Sequence, residues 1–240
     1  MGYVLSTATT QGDETVSDWN YANILETIAD AVGDRPAQIQ GDRVVTWAEW
    51  DRRADALAAD LLSAGLTKQS KVAVYTYNGP EYLEAYYAAF KAGLAPVNTN
   101  YRYGPEEILY LFDNADAEAV VFHASFAGLL EGIRDRLPKV KRWYAIADES
   151  GPGPEWAVRY GDVVSTPTGR TVAPWGRSGD HLLLLYTGGT TGMPKGVMWR
   201  QDDLFQVLGA GGNPLIGVPP IASLDELGAR VAAIPPGFAT

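Results

Sequence analysis

Strands and helices alternate along residues 71–147, and this alternation constrains the fold more than any other feature of the sequence. Residues 71–77 (KVAVYTY) have the composition of a strand, Pro80 precedes a helix over 81–92, and Gly93 ends that helix. The same order then recurs, with strands at 94–97, 119–122 and 143–147 and helices at 105–112 and 126–137. A helix between two strands carries the chain back across the sheet, so such strands pair in parallel. The sequence therefore predicts an α/β fold with a doubly wound, mostly parallel sheet and flanking helices.

The segment before this region predicts a helix, a hairpin and a second helix. We expect residues 1–19, which are rich in Ser, Thr, Gly and Asp, to be mobile. Apolar residues at helical spacing predict a helix over 21–32. Gly41 marks the tight turn of a hairpin, Thr46 opens the next helix with a capping box, and Gly65 stands where a left-handed cap ends it.

The periodic pattern disappears over residues 149–179, where glycine and proline accumulate. Long segments without regular structure are uncommon inside compact domains. We therefore predict that this segment connects a first α/β subdomain (20–148) to the start of a second subdomain (180–240). Within the second, residues 181–186 predict a strand buried on both faces, and 224–233 predict a helix.

Composition excludes several classes of protein. The chain has no cysteine, which excludes a disulfide scaffold and a thiol nucleophile, and its two isolated histidines, His123 and His181, form no metal site. We interpret both histidines as structural. The net charge of −10 and the absence of a basic run argue against nucleic acid as a partner. No apolar stretch is long enough to cross a bilayer, so we expect a cytoplasmic protein, with oligomerisation and contact with a membrane surface left open.

The most informative segment is a loop rich in glycine and threonine. Residues 186–196 are YTGGTTGMPKG, so that backbone N–H groups can face an anion and Lys195 can add a positive charge. This pattern predicts a phosphate site. It is not a Walker A loop, because Pro194 precedes the lysine and Gly196 follows it. It is not a dinucleotide-binding turn either, because 194–199 predicts a return strand where that turn opens a helix.

The segment closely resembles the phosphate-binding signature of the adenylate-forming (AMP-binding) superfamily, Y-T-S-G-T-T-G-x-P-K-G. Gly188 stands where serine is commoner, and this glycine together with the residues after the signature makes the segment most similar to the long-chain fatty acyl-CoA and sterol-side-chain acyl-CoA synthetases. Flanking blocks similar to the same branch occur in the expected order: NGPE at 78–81, FKAG at 90–93, PVNTNYR at 96–102 and LFDN at 111–114. The resemblance covers residues 21–208.

The resemblance implies that six loop residues wrap the phosphates of ATP and that Lys195 helps to neutralise the leaving pyrophosphate. The six are Thr187, Gly188, Gly189, Thr190, Thr191 and Gly192. It also implies an acid–thiol ligase that uses ATP, Mg²⁺ and coenzyme A. A fatty acid or a sterol-side-chain carboxylate would first form an acyl-adenylate and then a thioester. Such chemistry is accelerated by positioning and by charge stabilisation, for which this loop is suited.

The sequence also departs from the pattern of the family. Gln201 stands where many members have histidine. The family's adenine- and ribose-binding motifs, acidic magnesium ligand and catalytic lysine lie further along than residue 240. We therefore expect a truncated N-terminal domain with no catalytic residue in this chain, inactive when isolated. The alternative is a short homologue that binds a nucleotide or an acyl ligand without catalysis.

Overall fold

A computed structural model describes residues 19–189 and 192–237. The helices are α1 (Tyr21–Val32), α2 (Trp47–Ser63), α3 (Pro80–Lys91), α4 (Pro105–Asn114), α5 (Ala127–Glu131), α6 (Tyr160–Val164), α7 (Gln201–Val207) and α8 (Leu224–Ala233). The strands are β1 (Pro36–Gln40), β2 (Arg43–Thr46), β3 (Lys71–Tyr75), β4 (Ala95–Asn98), β5 (Ala117–His123), β6 (Arg142–Ile146), β7 (Val158–Arg159), β8 (Leu182–Gly189) and β9 (Gly192–Arg200). None of the helices in the described ranges is long and apolar enough to cross a membrane.

Seven strands form one sheet in the order β7-β6-β5-β3-β4-β8-β9, and β1 and β2 form a separate hairpin. Every neighbouring pair in the large sheet is parallel except β8 and β9, which are antiparallel. Residues of α1, α2, α3 and α8 pack in the core on one face, and residues of α4 and α5 pack in the core on the other. The predicted α/β fold, with a doubly wound and mostly parallel sheet, is confirmed.

Local capping groups set the starts of several helices. Asn20 and Thr46 stand in extended conformation before α1 and α2, and the Oγ1 atom of Thr46 accepts a hydrogen bond from the Glu49 N–H. Pro80 occupies the first turn of α3, where its missing N–H has no partner to lose. Gly65, after α2, has a φ of +81°, as the predicted left-handed cap requires.

The predicted single helix over 126–137 is wrong. The structure has a 3₁₀ turn at Ala124–Phe126, the short helix α5, and a second 3₁₀ turn at Arg134–Arg136. Gly128 and Gly132 lower the helix propensity of this segment, and α5 ends at Glu131, directly before the second glycine. The predicted apolar positions are nevertheless correct, because Leu130, Ile133 and Leu137 are buried in the core.

The strands on either side of the predicted subdomain boundary belong to the same sheet. β8, which follows the 149–179 connection, pairs in parallel with β4 at Val97 and Leu184. The connection contains β7 and α6 and is anchored to α1 by Arg177, whose two terminal nitrogens bond the carboxylate of Glu26. The division into two subdomains therefore stays a prediction. Most of the predicted mobile segment, residues 1–18, lies outside the described residues.

A buried lysine joins three helices behind the sheet. The Lys91 Nζ atom lies 2.6 Å from Glu26 Oε1, 2.8 Å from Asp51 Oδ1 and 2.9 Å from Asp55 Oδ1, and its side chain is fully buried. Burial acts to raise the pKa of Glu26, but hydrogen bonds from Arg177 and Lys91 outweigh it and lower that pKa. The cluster stabilises the packing of α1, α2 and α3 against one another.

Candidate phosphate-binding site

The predicted phosphate loop lies at the carboxyl edge of the parallel strands, where Thr187, Gly188 and Gly189 end β8 and Gly192 begins β9. Because β8 runs parallel to β4, the chain leaves both strands at this same edge. Open α/β sheets bind their ligands at the carboxyl ends of their strands. Thr190 and Thr191, two of the predicted site residues, lie outside the described residues. The predicted return strand after the loop is confirmed as β9.

Thr187 and Lys195 face each other across the β8–β9 ladder. Directly opposed residues of an antiparallel pair project from the same face of the sheet. Both side chains are exposed, and within residues 19–189 and 192–237 Lys195 forms no ion pair with a carboxylate. The structure thus places one hydroxyl and one ammonium group side by side, with the charge of the ammonium available to a ligand.

The hairpin contains a β-bulge just beyond this pair. Thr187 opposes Lys195 but Gly189 opposes Gly192, so two residues of β9 stand opposite one residue of β8. The two residues of β9 are Met193 and Pro194, and the missing N–H of the proline removes no ladder hydrogen bond at a bulge. The bulge separates the regular part of the hairpin from the glycine-rich tip.

Two of the predicted loop glycines leave the backbone open. A Cβ on Gly188 would come no closer than 3.8 Å to a neighbour, the Tyr103 hydroxyl, and a Cβ on Gly192 would meet nothing within 4 Å. Neither residue has a φ in the left-handed region. Packing and backbone strain therefore do not explain these glycines, and the backbone at both positions is open to close approach by a ligand.

Asn98 and Tyr186 join the base of the hairpin to the parallel sheet. The Tyr186 N–H donates to Asn98 Oδ1 at 2.5 Å, and Asn98 Nδ2 donates to the Tyr186 carbonyl at 3.2 Å. Tyr186 Oη donates to Asn114 Oδ1 at 2.7 Å. Burial raises the pKa of the Tyr186 phenol, with Tyr110 and Asp116 acting in the same direction, so the phenol stays a donor. The sequence analysis missed Asn98, although a polar residue ending an apolar strand is a signal that could have identified it.

The face of the sheet that packs against α4 is less suited to phosphate. Beside the loop on that side lies a cleft of about 570 Å³. It is lined by Glu106, Leu109, Tyr110, Asp113, Arg136 and Met193. The single arginine of the cleft is already paired with Glu106, at 3.3 Å, and Asp113 lies 3.8 Å from Lys139, so the described lining offers no unpaired cation to a phosphate. An anionic ligand is therefore expected on the face that carries Thr187 and Lys195.

Both histidines and Gln201 have structural contacts. His123 Nδ1 accepts a hydrogen bond from the Tyr77 N–H at 3.1 Å, and burial lowers the pKa of His123. His181 is buried, and its Nε2 atom has no hydrogen-bond partner in the described part of the chain. Gln201, found where the resemblance leads one to expect histidine, is buried, and its Oε1 atom accepts from the Tyr21 N–H at the start of α1.

No group of three or more His, Cys, Asp or Glu side chains among the described residues could hold a metal ion.

Comparison of the chain with known proteins identifies the family to which this fold and this loop belong. Residues 25–220 match the family described as AMP-binding enzyme, so the chain belongs to that family. The predicted resemblance to its long-chain fatty acyl-CoA and sterol-side-chain branch is confirmed, and the relatives also include medium-chain ligases.

The chain is 38% identical over 236 residues to the medium-chain acyl-CoA ligase Mig of Mycobacterium avium, covering 92% of this chain and 42% of the relative. It is 36% identical over 202 residues to the 3-oxocholest-4-en-26-oate–CoA ligase of Rhodococcus rhodochrous, covering 82% of this chain and 36% of the relative. The chain thus spans about two fifths of the length of these relatives.

Solved structures agree with this assignment. The anthranilate CoA ligase AuaEII in complex with anthranoyl-AMP superposes with a TM-score of 0.72 at 26% identity, over 81% of this chain and 38% of that chain. The fatty acyl CoA synthetase of Mycobacterium tuberculosis has a TM-score of 0.65 at 22% identity, over 77% of this chain and 35% of that one, and shows the shared fold.

Proposed function

We propose that this chain forms the part of an acyl-CoA synthetase that holds the outer phosphates of ATP. The complete protein would activate a fatty acid or a sterol-side-chain carboxylate as an acyl-adenylate and transfer the acyl group to coenzyme A. The observation that carries this proposal is the exposed pair Thr187 and Lys195 at the carboxyl edge of the sheet, close to the uncrowded glycines Gly188 and Gly192. The names of the relatives, which are CoA ligases of medium-chain and steroid acids, support the substrate class.

Lys195 has the principal electrostatic role in this proposal. Its ammonium group would donate charge-assisted hydrogen bonds to phosphate oxygens, and the adjacent Thr187 hydroxyl can donate another. As the carboxylate attacks the α-phosphorus, negative charge accumulates on the departing pyrophosphate, and a fixed cation lowers the energy of that state. The loop amides from Gly188 to Gly192, including those of Thr190 and Thr191, would complete the cradle.

Mg²⁺ is expected to arrive with ATP and to supply further neutralisation of phosphate charge when bound. Residues 19–189 and 192–237 offer no cluster of three or more His, Asp or Glu side chains to hold the ion. The contribution of this chain is therefore Lys195 together with the loop amides and hydroxyls. Coenzyme A would act in the second half-reaction as the thiol that attacks the acyl-adenylate.

We also propose that the 240 residues alone do not complete the reaction. The proposal is supported by the share of the relatives that they cover, about two fifths. A nucleotide held only by its outer phosphates rarely reaches attack geometry, and correct orientation is worth roughly 7–11 kcal/mol in well-ordered systems. Acyl-adenylate detected by mass spectrometry from the pure chain, and lost in Lys195→Ala, would contradict this part of the proposal.

Calorimetric titration of pyrophosphate, ATP and AMP into the wild-type chain and into Lys195→Ala tests the phosphate role. A charge-assisted contact contributes on the order of 1.5–3 kcal/mol, so Lys195→Ala should weaken ATP binding about tenfold to a hundredfold. AMP lacks the outer phosphates and should be affected much less. Lys139→Ala is the matched control, because Lys139 is exposed and already paired with Asp116. Equal losses for ATP and AMP, or no saturable binding by the wild type, would show that the assignment is wrong.

A further inference from the structure

We propose that Asn98 is a positioning residue that holds the first strand of the phosphate loop in place and thereby sets the affinity of the loop for phosphate. The inference rests on the function proposed above. Asn98 lies at the end of β4, 88 residues before Tyr186, and does not belong to the signature loop.

The pairing between β4 and β8 is sparse, which gives the side chain of Asn98 its importance. Within the described residues the two strands share a single in-register pair, Val97 with Leu184. Beyond that pair, the side chain of Asn98 takes the place of a neighbouring strand, because its amide bonds both the N–H and the carbonyl of Tyr186. The contact extends the attachment of β8 by two residues, to the residue that directly precedes Thr187.

The chemistry of the side chain explains why an amide stands at this position. A primary amide carries an acceptor and a donor in one plane, so it can bond the N–H and the carbonyl of one residue at the same time. A carboxylate could accept from the N–H but could not donate to the carbonyl. A leucine of similar size could do neither, and both backbone groups of Tyr186 would lose their partner.

Tyr186 transmits this attachment to the second strand of the loop. Its ring covers Gly196, its partner in β9, and its hydroxyl bonds Asn114 at the end of α4. The next pair towards the tip is Thr187 and Lys195, and both of those side chains are exposed. Tyr186 and Gly196 are therefore the last pair of opposed residues in the hairpin that is held by packing before the phosphate-binding groups begin. Loss of Asn98 would let the hairpin pivot and would add an ordering cost to phosphate binding.

The experiment compares Asn98→Leu and Asn98→Asp with the wild-type chain and with the matched control Asn78→Leu. Asn78 is an exposed asparagine that follows the adjacent strand, β3, at the same edge of the sheet. Pyrophosphate affinity is measured by calorimetry, and amide hydrogen exchange of Tyr186 is measured by NMR. Lys195→Ala provides the reference for loss of the phosphate contact itself. Global stability is measured for every variant by urea unfolding.

We expect Asn98→Leu to weaken pyrophosphate binding by at least about fivefold, the loss expected for two hydrogen bonds. Exchange of the Tyr186 amide should accelerate, while exchange of the Val97 amide should remain at the wild-type rate. Asn98→Asp keeps the acceptor for the Tyr186 N–H and should preserve its protection, with a smaller loss of affinity. Asn78→Leu should match the wild type in both measurements.

The outcomes separate this inference from the proposed function. If the wild type binds pyrophosphate through Lys195 and both Asn98 variants bind equally well, the positioning role is wrong and the proposed function stands. If the wild type shows no saturable binding, the proposed function fails and this inference fails with it. Should Asn98→Leu not fold, Asn98→Asp decides, because wild-type affinity in that variant would overturn the role of the amide.

Discussion

The phenol ring of Tyr186 lies over Gly196, the residue opposite it in the β8–β9 ladder. A Cβ on Gly196 would stand 2.7 Å from Cε2 and 2.8 Å from Cζ of the ring, which is closer than two carbon atoms can approach. The hydrogen bond from the ring hydroxyl to Asn114 opposes any movement of the ring. The glycine that follows the signature lysine is thus required by packing within the hairpin, whatever ligand the loop holds.

Gly196→Ala should destabilise the chain by about 1–3 kcal/mol, the usual cost of forcing an extra methyl group into a packed site. Urea unfolding measures the effect. The matched control on the same strand is Gly192→Ala, where the new methyl group would meet nothing within 4 Å. Equal unfolding free energies for the two variants would mean that the Tyr186 ring does not confine Gly196.

Lys91→Met should cost about 3–5 kcal/mol of unfolding free energy. The substitution removes the buried cation that Glu26, Asp51 and Asp55 share, and among the described residues only Glu26 keeps a second buried cation, Arg177. The methionine can fill the volume of the lysine stem. The control is Lys139→Met, which removes an exposed pair with Asp116 and should change the unfolding free energy far less, because solvent screens that pair. Thermal or urea unfolding of both variants checks the prediction, and similar losses would argue against it.

Two arginines that pair with Glu26 should differ in their contribution to stability. Arg177 is 8% exposed and bonds Glu26, Asn23 and the Thr171 carbonyl, whereas the side chain of Arg170 is 43% exposed. Arg177→Met should cost about 2–4 kcal/mol and Arg170→Met about 1 kcal/mol or less, because solvent screens the exposed pairs. Limited proteolysis should also cleave the 149–179 connection faster in Arg177→Met. A larger loss in the Arg170 variant would reverse the assignment.

His181 should make stability depend on pH. Burial, together with nearby Lys68, lowers the pKa of His181 below its ordinary value of 6.5. As the pH falls below that value the unfolded chain takes up a proton first, so the unfolding free energy decreases until the pH reaches the lowered pKa of the native state. His181→Gln removes this contribution.

The unfolding free energy of wild type and His181→Gln should therefore be compared between about pH 7.5 and about pH 5.5. The wild type should lose more, by up to about 1.4 kcal/mol per pH unit within the titration window. Carboxylates titrate alike in both proteins, so the difference between the two curves isolates the histidine. Parallel curves would show that His181 titrates normally in the native state.

Elements with strong local signals were predicted to the residue. The helices α1 and α8 begin and end where the apolar spacing placed them, and both are capped at their first turn by a side chain, Asn20 and Ser223 respectively. Strand ends were predicted less closely: β3 ends at Tyr75 and β5 begins at Ala117. A strand ends where its partner ends, and the partner is a distant part of the chain. The prediction of one continuous helix around α5 failed because the low helix propensity of glycine there outweighs the apolar spacing.

For the candidate site as well, local features could be predicted from the sequence and contacts between distant residues could not. The amino-acid sequence alone determined the α/β class and predicted a phosphate-binding loop, because alternating periodicity and a glycine-rich segment with a lysine are local properties. Only the tertiary structure decided which residues hold that loop: Asn98 and Tyr186 are 88 residues apart, and Lys91 and Glu26 are 65 apart. Such contacts exist only after the sheet has assembled in its order β5-β3-β4-β8, which differs from the order of the strands along the chain. Their strength depends on burial and distance, and neither quantity is present in a chain that has not yet folded.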